Sequence, residues 1–301
     1  MLAAEGAAGV QVLRLLVARG HEVAVVLTGA GAAPAGATVA GLARELKLPL
    51  APAELVGDPA FADQLQDVDL LLNVHSLHIA TTAVIEAPRR GSFNLHPGPL
   101  PECAGLHAPS WAIFEGRQRH GVTLHRMAPE IDAGPIAFCA DFPIAPTDTG
   151  LTVTMGCVRA GVPLVERLLA CAERGEPIPA LAQDPTRRRW FGPGPPDGGR
   201  LHWERPARGV VDLIRACDYR PLRSPWPPPA TRLGATEIGV LSARYQDRAT
   251  ESATPGTIGE RHGQAVDVAA LDRWVCVERV CLADRELAAA EVLSPGQHLS
   301  Y

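Results

Sequence analysis

Glu22-Val23-Ala24-Val25-Val26-Leu27-Thr28 is a short run rich in valine, the pattern of a strand buried on both faces of a parallel sheet. Upstream of it, Val10 to Arg19 places apolar residues three and four apart, as an amphipathic helix does, and Gly20 supplies the residue that ends it. Downstream, Thr38 to Leu46 reads as a second helix, followed by the short Leu48-Pro49-Leu50 run. A further helix through Phe61 to Leu65 leads into Val68-Asp69-Leu70-Leu71-Leu72-Asn73-Val74, another strand. This alternation predicts an α/β fold, a doubly wound and mostly parallel sheet, whose ligands lie beyond the carboxyl ends of its strands. Met1-Leu2-Ala3-Ala4 is short for the first strand of such a sheet, and Glu5-Gly6-Ala7-Ala8-Gly9 reads as the glycine-rich turn after it. The glycine spacing of that turn is not that of a dinucleotide-binding fingerprint, which counts against a dehydrogenase.

The second half reads differently. Thr149 to Arg174 carries a helical pattern with an expected interruption near Pro163, and Gly192 to Gly199 is the clearest linker. A helix follows from Pro206 to Cys217. From Thr236 onward short apolar runs recur between turn signals: Ile238 to Leu241, Gly256 to Ile258, Ala265 to Val268 and Trp274 to Val277. That rhythm predicts a small antiparallel barrel or sandwich. The expected division is a first domain over 1–190, a linker over 191–205 and a C-terminal domain over 206–301.

Composition narrows the function classes. A net charge of −5 leaves no basic footprint of the kind nucleic-acid binders carry, and the local runs Arg117-Gln118-Arg119-His120 and Arg187-Arg188-Arg189 read as solvated loop. The seven cysteines include no Cys-x-x-Cys pair, so a zinc knuckle or redox dithiol is not expected and no metal is assigned. Reduced thiols point to a cytoplasmic protein. No apolar stretch reaches the roughly eighteen residues of a membrane span, and an early Glu5 without a basic lead-in argues against a signal peptide.

The chemistry gathers at Asn94-Leu95-His96-Pro97-Gly98-Pro99-Leu100-Pro101, just past the strand-like Gly91-Ser92-Phe93, and at Ile131-Asp132-Ala133-Gly134. Asn94 and His96 lie two apart, so an extended backbone puts both on one face, able to meet one carbonyl. A neutral amide can stabilise an oxygen that gains charge, and an imidazole can take the proton an attacking amine must lose. A carboxylate such as Asp132 orients that imidazole and raises its basicity. Taken singly, each of these residues is ordinary in a turn.

The surrounding pattern decides the matter. Asn94 and His96, Pro101, Gly105, Pro109 with Trp111-Ala112-Ile113, Gly121-Val122-Thr123-Leu124-His125-Arg126-Met127, and Asp132, Gly134 and Ile136 together resemble the folate-dependent formyltransferase family. That family includes methionyl-tRNA formyltransferase, glycinamide ribonucleotide transformylase and the amino-sugar N-formyltransferases. The resemblance covers most of residues 6–180 and continues more weakly through Leu201-His202-Trp203, Ile214-Arg215-Ala216 and Pro255-Gly256-Thr257-Ile258, which look like the family's C-terminal barrel domain, an OB-like fold. It implies that 1–190 is a catalytic domain of the formyltransferase fold and that 10-formyltetrahydrofolate is the donor. It implies Asn94, His96 and Asp132 as the catalytic trio. The pterin of the donor would lie against Asn73, Val74, His75, Ser76, Leu77 and His78 and against Ile131 in the loop before Asp132, held mainly by backbone groups.

Departures bear on the acceptor. Members often carry Ser-Leu-Leu-Pro after the histidine, where this chain has Gly98-Pro99-Leu100-Pro101, and an arginine where it has Ala104. The pterin-side segment usually has Tyr or Gly, where this chain has His75, Ser76 and His78. Gly98, Pro99 and above all His107 are expected on the acceptor side, while His125 is expected to pack within its strand. The negative charge, the single lysine at Lys47 and Ala104 count against a tRNA acceptor and for a small or carrier-bound amine. The expected activity is an N-formyltransferase of specialised biosynthesis. The alternatives are a methionyl-tRNA formyltransferase, a formyltetrahydrofolate hydrolase, whose relatives carry an N-terminal regulatory domain, and an inactive folate-binding module.

Overall fold

The computed structural model describes residues 1–29 and 37–301. They fall into two compact units, one made of residues 1–108, 120–142 and 154–191, the other of residues 109–119, 143–153 and 192–301. In chain order the helices are α1 (Gly6–Ala18), α2 (Val39–Glu45), α3 (Thr82–Glu86), α4 (Ala108–Phe114), α5 (Gly150–Glu173), α6 (Ala207–Cys217) and α7 (Ala289–Val292). The strands of the first unit are β1 (Leu2–Ala4), β2 (Val26–Thr28), β3 (Leu50–Pro52), β4 (Leu70–Val74), β5 (Gly91–His96), β6 (Ala104–Gly105), β7 (Arg119–Arg126), β8 (Ile136–Pro143) and β9 (Trp190–Phe191).

Seven of these strands form one sheet in the order β3-β2-β1-β4-β5-β7-β8, while β6 and β9 pair in parallel with each other. The pairs from β3 across to β5 are parallel, and β7 runs antiparallel to β5. Both faces of the sheet are covered. Leu2, Ala4, Val26, Leu72, Phe93, Leu95 and Leu124 pack in one core with residues of α1, α2 and α5, while Met1, Ala3, Leu27 and Leu71 pack in a second with Phe61, Leu65 and Val84. Burial on both faces is why the strands read as near-continuous apolar runs.

The amino-terminal end departs from the sequence reading. Glu5 to Gly9 is no turn: the helix α1 begins at Gly6, and the Glu5 carboxylate ties its start to β2 by accepting from Thr28 Oγ1 at 3.0 Å and Gly29 N–H at 2.5 Å. The first strand is short, with three residues inside the sheet, between β2 and β4. It persists because it is bonded on both edges and its side chains alternate between the two cores. The strand expected over 22–28 is regular only at Val26–Thr28, the lead-in alternating exposed Glu22, buried Val23 and exposed Ala24. Helix α5 runs unbroken past Pro163, held by Val158, Leu164, Val165 and Leu168 in the core.

The second unit contains α6 and α7 with an antiparallel sheet of β10 (Ala230–Leu233), β11 (Thr236–Ala249), β12 (Ile258–His262), β13 (Ala265–Ala269), β14 (Arg273–Leu282), β15 (Arg285–Ala288) and β16 (Leu299–Ser300). Its path is β12-β13-β14-β11-β10-β16, with β15 on β14. The two ends of that path meet. Thr257 bridges His298, Ile258 N–H donates to Gln297 O at 2.9 Å and Leu299 N–H to Gly256 O at 2.8 Å, so the sheet closes into a barrel. Ile238, Val240, Val266, Val268, Val275, Val277 and Val280 are among its buried side chains. Within this unit the Trp111 ring meets Trp226 edge-on at 5.1 Å. Among the described residues no helix is long and apolar enough to cross a membrane.

Candidate functional site

Three polar side chains stand in one row across three adjacent strands of the first unit. Asn73 of β4 is in register with Asn94 of β5, and Asn94 with His125 of β7. The row is hydrogen-bonded throughout: Asn73 Nδ2 donates to Asn94 Oδ1 at 3.0 Å, and Asn94 Nδ2 lies 3.1 Å from His125 Nε2. Asn94 and His96 are therefore residues of the strand itself and not of a loop past it. Their alternation with Phe93 and Leu95, which belong to the core, fixes the face they present.

The segment after His96 is pinned by β7. Thr123 Oγ1 donates to Gly98 O at 2.8 Å and accepts from Leu100 N–H at 3.1 Å, and His120 Nε2 bonds Pro97 O at 3.0 Å. Gly98 is required by space. A Cβ there would sit 2.9 Å from both His96 Nε2 and Ala108 Cβ and 3.0 Å from Cys103 O.

Asp132 reaches the site from the loop between β7 and β8. Gly134 lets that loop turn, since a Cβ at that position would lie 1.8 Å from the Arg126 carbonyl oxygen. Asp132 itself is left-handed, with φ of 56°, a conformation that costs a non-glycine residue about 1 kcal/mol. Its side chain is 5% exposed. Oδ2 accepts from Gly105 N–H at 2.9 Å and lies 3.5 Å from His96 Nδ1; Oδ1 accepts from Asn94 Nδ2 at 3.4 Å and lies 3.5 Å from His125 Nε2.

Burial alone would raise the Asp132 pKa. The contact with His125, the nearby His96 and the Gly105 N–H outweigh it and hold the pKa down to about 2, so the carboxylate is ionised at neutral pH. For His96 the balance falls the other way. Burial lowers its pKa below the ordinary value despite the Asp132 charge and the Cys103 carbonyl, which both favour a proton. The tautomer follows from the partners. His96 Nε2 is 2.6 Å from Cys103 O, an acceptor only, so Nε2 carries the proton and the free lone pair is on Nδ1, facing Asp132. A second imidazole lies close by. His75, left-handed with φ of 58°, is pushed down to a pKa of about 4 by burial and by the proximity of His96.

The structure thus brings Asn94, His96 and Asp132 together and adds two residues to them. His125 packs in its strand as expected, yet its Nε2 points into the cluster, which the sequence reading missed; the register of β5 against β7 is what reveals it. Asn73 is joined to the trio through Asn94. Val74 is a core residue, whereas Leu77 is 74% exposed and Ile131 42% exposed, each on a loop beside the site. His78 and Pro99 are half-buried, and His107 is half-buried with a left-handed backbone and a pKa lowered by burial. The Arg187-Arg188-Arg189 run is not uniformly solvated: Arg188 donates to Ile131 O at 2.6 Å. Gln183 donates to Asp132 O at 2.9 Å, and nothing in the sequence pattern marks it.

An amide, an imidazole and a buried ionised carboxylate at the carboxyl end of a strand form an arrangement suited to acyl transfer. Residues 19–161 match the family model of formyl transferase and residues 195–297 that of the formyl transferase C-terminal domain. The chain belongs to the formyl transferase family. Solved structures share the fold at low identity. HypX from Aquifex aeolicus in complex with tetrahydrofolic acid is 21% identical with a TM-score of 0.68, over 97% of this chain and 46% of that one. This chain therefore spans less than half the length of HypX. The N-formyltransferase from Helicobacter canadensis in complex with folinic acid and dTDP-3-aminofucose is 15% identical with a TM-score of 0.70, over 92% of this chain and 97% of that one. A 4-N formyltransferase from Francisella tularensis is 13% identical with a TM-score of 0.60, over 74% of this chain and 89% of that one.

Proposed function

We propose that this protein transfers a formyl group from 10-formyltetrahydrofolate to the amine of a small or carrier-bound acceptor. The observation that carries the reading is the ionised Asp132 set 3.5 Å from the free lone pair of His96 and within reach of the Asn94 amide. His96 takes the proton of the attacking amine on Nδ1, where the Asp132 carboxylate stabilises the resulting imidazolium. The Cys103 carbonyl keeps the ring in the orientation this requires. Asn94 donates to the formyl oxygen as that oxygen gains charge, exchanging its 3.4 Å bond to Asp132 for a shorter one. His96 then returns the proton to the leaving nitrogen.

The donor supplies an activated formyl carbon, and the chain offers groups that fit its pterin. His75 Nε2 and Ser76 Oγ, in the loop after β4, are buried without a hydrogen-bond partner among the described residues. A ring bearing fixed donors and acceptors would satisfy them, and the exposed Leu77 and Ile79 beside them would be covered. Support for the donor also comes from the HypX and Helicobacter canadensis structures, which hold tetrahydrofolic acid and folinic acid. The latter also holds an amino sugar on a nucleotide, which favours a small amine, as does the net charge of −5 against a tRNA. The test mixes the protein with 10-formyltetrahydrofolate and a panel of amines that includes nucleotide-linked amino sugars, and follows release of tetrahydrofolate. Amine-dependent release supports the reading. Release of formate without any amine would replace it with a hydrolase, and no release under any condition would sink it.

A further inference from the structure

Three backbone carbonyls of the loop that carries Asp132 are held by side chains from a distant segment. Gln183 Nε2 donates to Asp132 O at 2.9 Å and to Gly134 O at 2.7 Å, and Arg188 Nη2 donates to Ile131 O at 2.6 Å. The segment is anchored at both ends. Leu181 exchanges two backbone hydrogen bonds with Ile136 at the start of β8, 2.8 and 2.9 Å long. At the other end β9 pairs with β6, where Ala104 N–H donates to Arg189 O at 3.0 Å and Leu106 N–H to Phe191 O at 2.9 Å. β6 is also the strand whose Gly105 N–H binds Asp132 Oδ2. One stretch of chain therefore grips the Asp132 loop from behind and the carboxylate's own hydrogen-bond donor from the side.

We propose that residues 181–191 are a positioning strap, in which Gln183 and Arg188 hold Asp132 in its left-handed conformation and so keep its carboxylate against His96. This inference rests on the roles proposed above for Asp132 and His96. The strap lies between the two spans matched by the family models, 19–161 and 195–297, so it belongs to a part of the chain those models do not describe. Its physical necessity comes from the backbone. A left-handed aspartate has a lower-energy alternative, and the 3.5 Å contacts to His96 and His125 are too long to restrain it by themselves. The strap's three bonds, all between 2.6 and 2.9 Å, hold the backbone of the loop, while the Gly105 N–H at 2.9 Å holds the carboxylate. Gln183 is a positioning residue here: both of its hydrogen bonds among the described residues go to backbone oxygens of the loop.

The decisive measurement is the titration of the His96 ring by NMR in histidine-labelled protein, with the resonance assigned from His96→Gln. Losing the Asp132 charge lowers the proton affinity of His96, whereas a general loosening of the fold admits water and raises it toward the ordinary value. The direction of the shift thus separates positioning from mere stabilisation. Gln183→Leu is expected to lower the midpoint by roughly 0.5 pH unit, in the same direction as Asp132→Asn and smaller. Arg188→Lys, which keeps a charge and one donor, should stay near the native midpoint. If Gln183→Leu fails to fold, Gln183→Met keeps the length, removes both donors, adds no charge and is measured in its place. A midpoint that is unchanged or raised overturns the strap. The titration needs no acceptor, so its failure is distinct from a native protein that transfers no formyl group. Where transfer is measurable, Gln183→Leu should lower kcat about tenfold and leave the KM for the donor unchanged.

Discussion

Asp132 of the sheet unit and Asp267 of the barrel unit are both buried carboxylates, and the two are compensated in opposite ways. Asp267 of the barrel unit is fully buried, with Oδ1 accepting from Gln246 Nε2 at 2.6 Å and Oδ2 from His262 Nε2 at 2.8 Å and from Arg248. A permanent cation neutralises it at close range. Asp132 of the sheet unit has one short bond, from Gly105, and otherwise longer contacts at 3.4 to 3.5 Å to an amide and two imidazoles. Its compensation comes from groups that can gain or lose a proton, or can swing toward a ligand. A buried charge closed by arginine is structure; a buried charge left to histidines is available for chemistry.

The largest expected effect tests that division directly. Asp132→Asn and His96→Ala should each reduce the turnover of formyl transfer by about a thousandfold while the protein stays folded, whereas Asp267→Asn should leave turnover near native. Circular dichroism and single-turnover kinetics on the three variants would check it, and a loss of turnover in Asp267→Asn would break the contrast. Next in size is stability. Asp267→Ala strands Arg248 and His262 beside a buried vacancy and should cost about 3 kcal/mol in urea unfolding, toward the low end for a broken buried pair because both partners reach water.

Smaller, and of a different kind, is the acid response. The folded Asp132 pKa of about 2 lies below its ordinary 3.8, so its ionised form contributes about 2 kcal/mol of stability above pH 4. That contribution is lost as the pH falls from about 4 through 2, and in Asp132→Asn this part of the acid limb should disappear. His96 has its pKa lowered by burial, so the acid limb of kcat should fall below the ordinary histidine value of 6.5. A limb at or above that value would mean that another group is the base.

Much of this was readable beforehand, for physical reasons that differ from place to place. Strand and helix alternation in the first 75 residues predicted the doubly wound sheet because burial on both faces leaves long apolar runs. Asn94 and His96 could be placed on one face from their spacing, and Asp132 through the family resemblance. His125 could not be assigned to the site, because its inward position depends on the register of β7 against β5, which no local pattern encodes. Glu5 to Gly9 misled because glycines that permit a turn also permit close packing: a Cβ on Gly9 would lie 2.8 Å from Ala4 Cβ and from Val39 Cγ2. Gln183 and Arg188 were hidden for the opposite reason. Their partners are backbone oxygens, which leave no complementary residue in the sequence to find.

The closing of the barrel by Thr257 and His298 has a consequence for how this protein tolerates trimming. Closure covers the edges that β10 and β12 would otherwise offer a neighbour, and here the seam is sealed by Gln297 to Ser300. Deleting those residues would bare β10 on one side and β12 on the other. The change would be felt between molecules as self-association through those two strands.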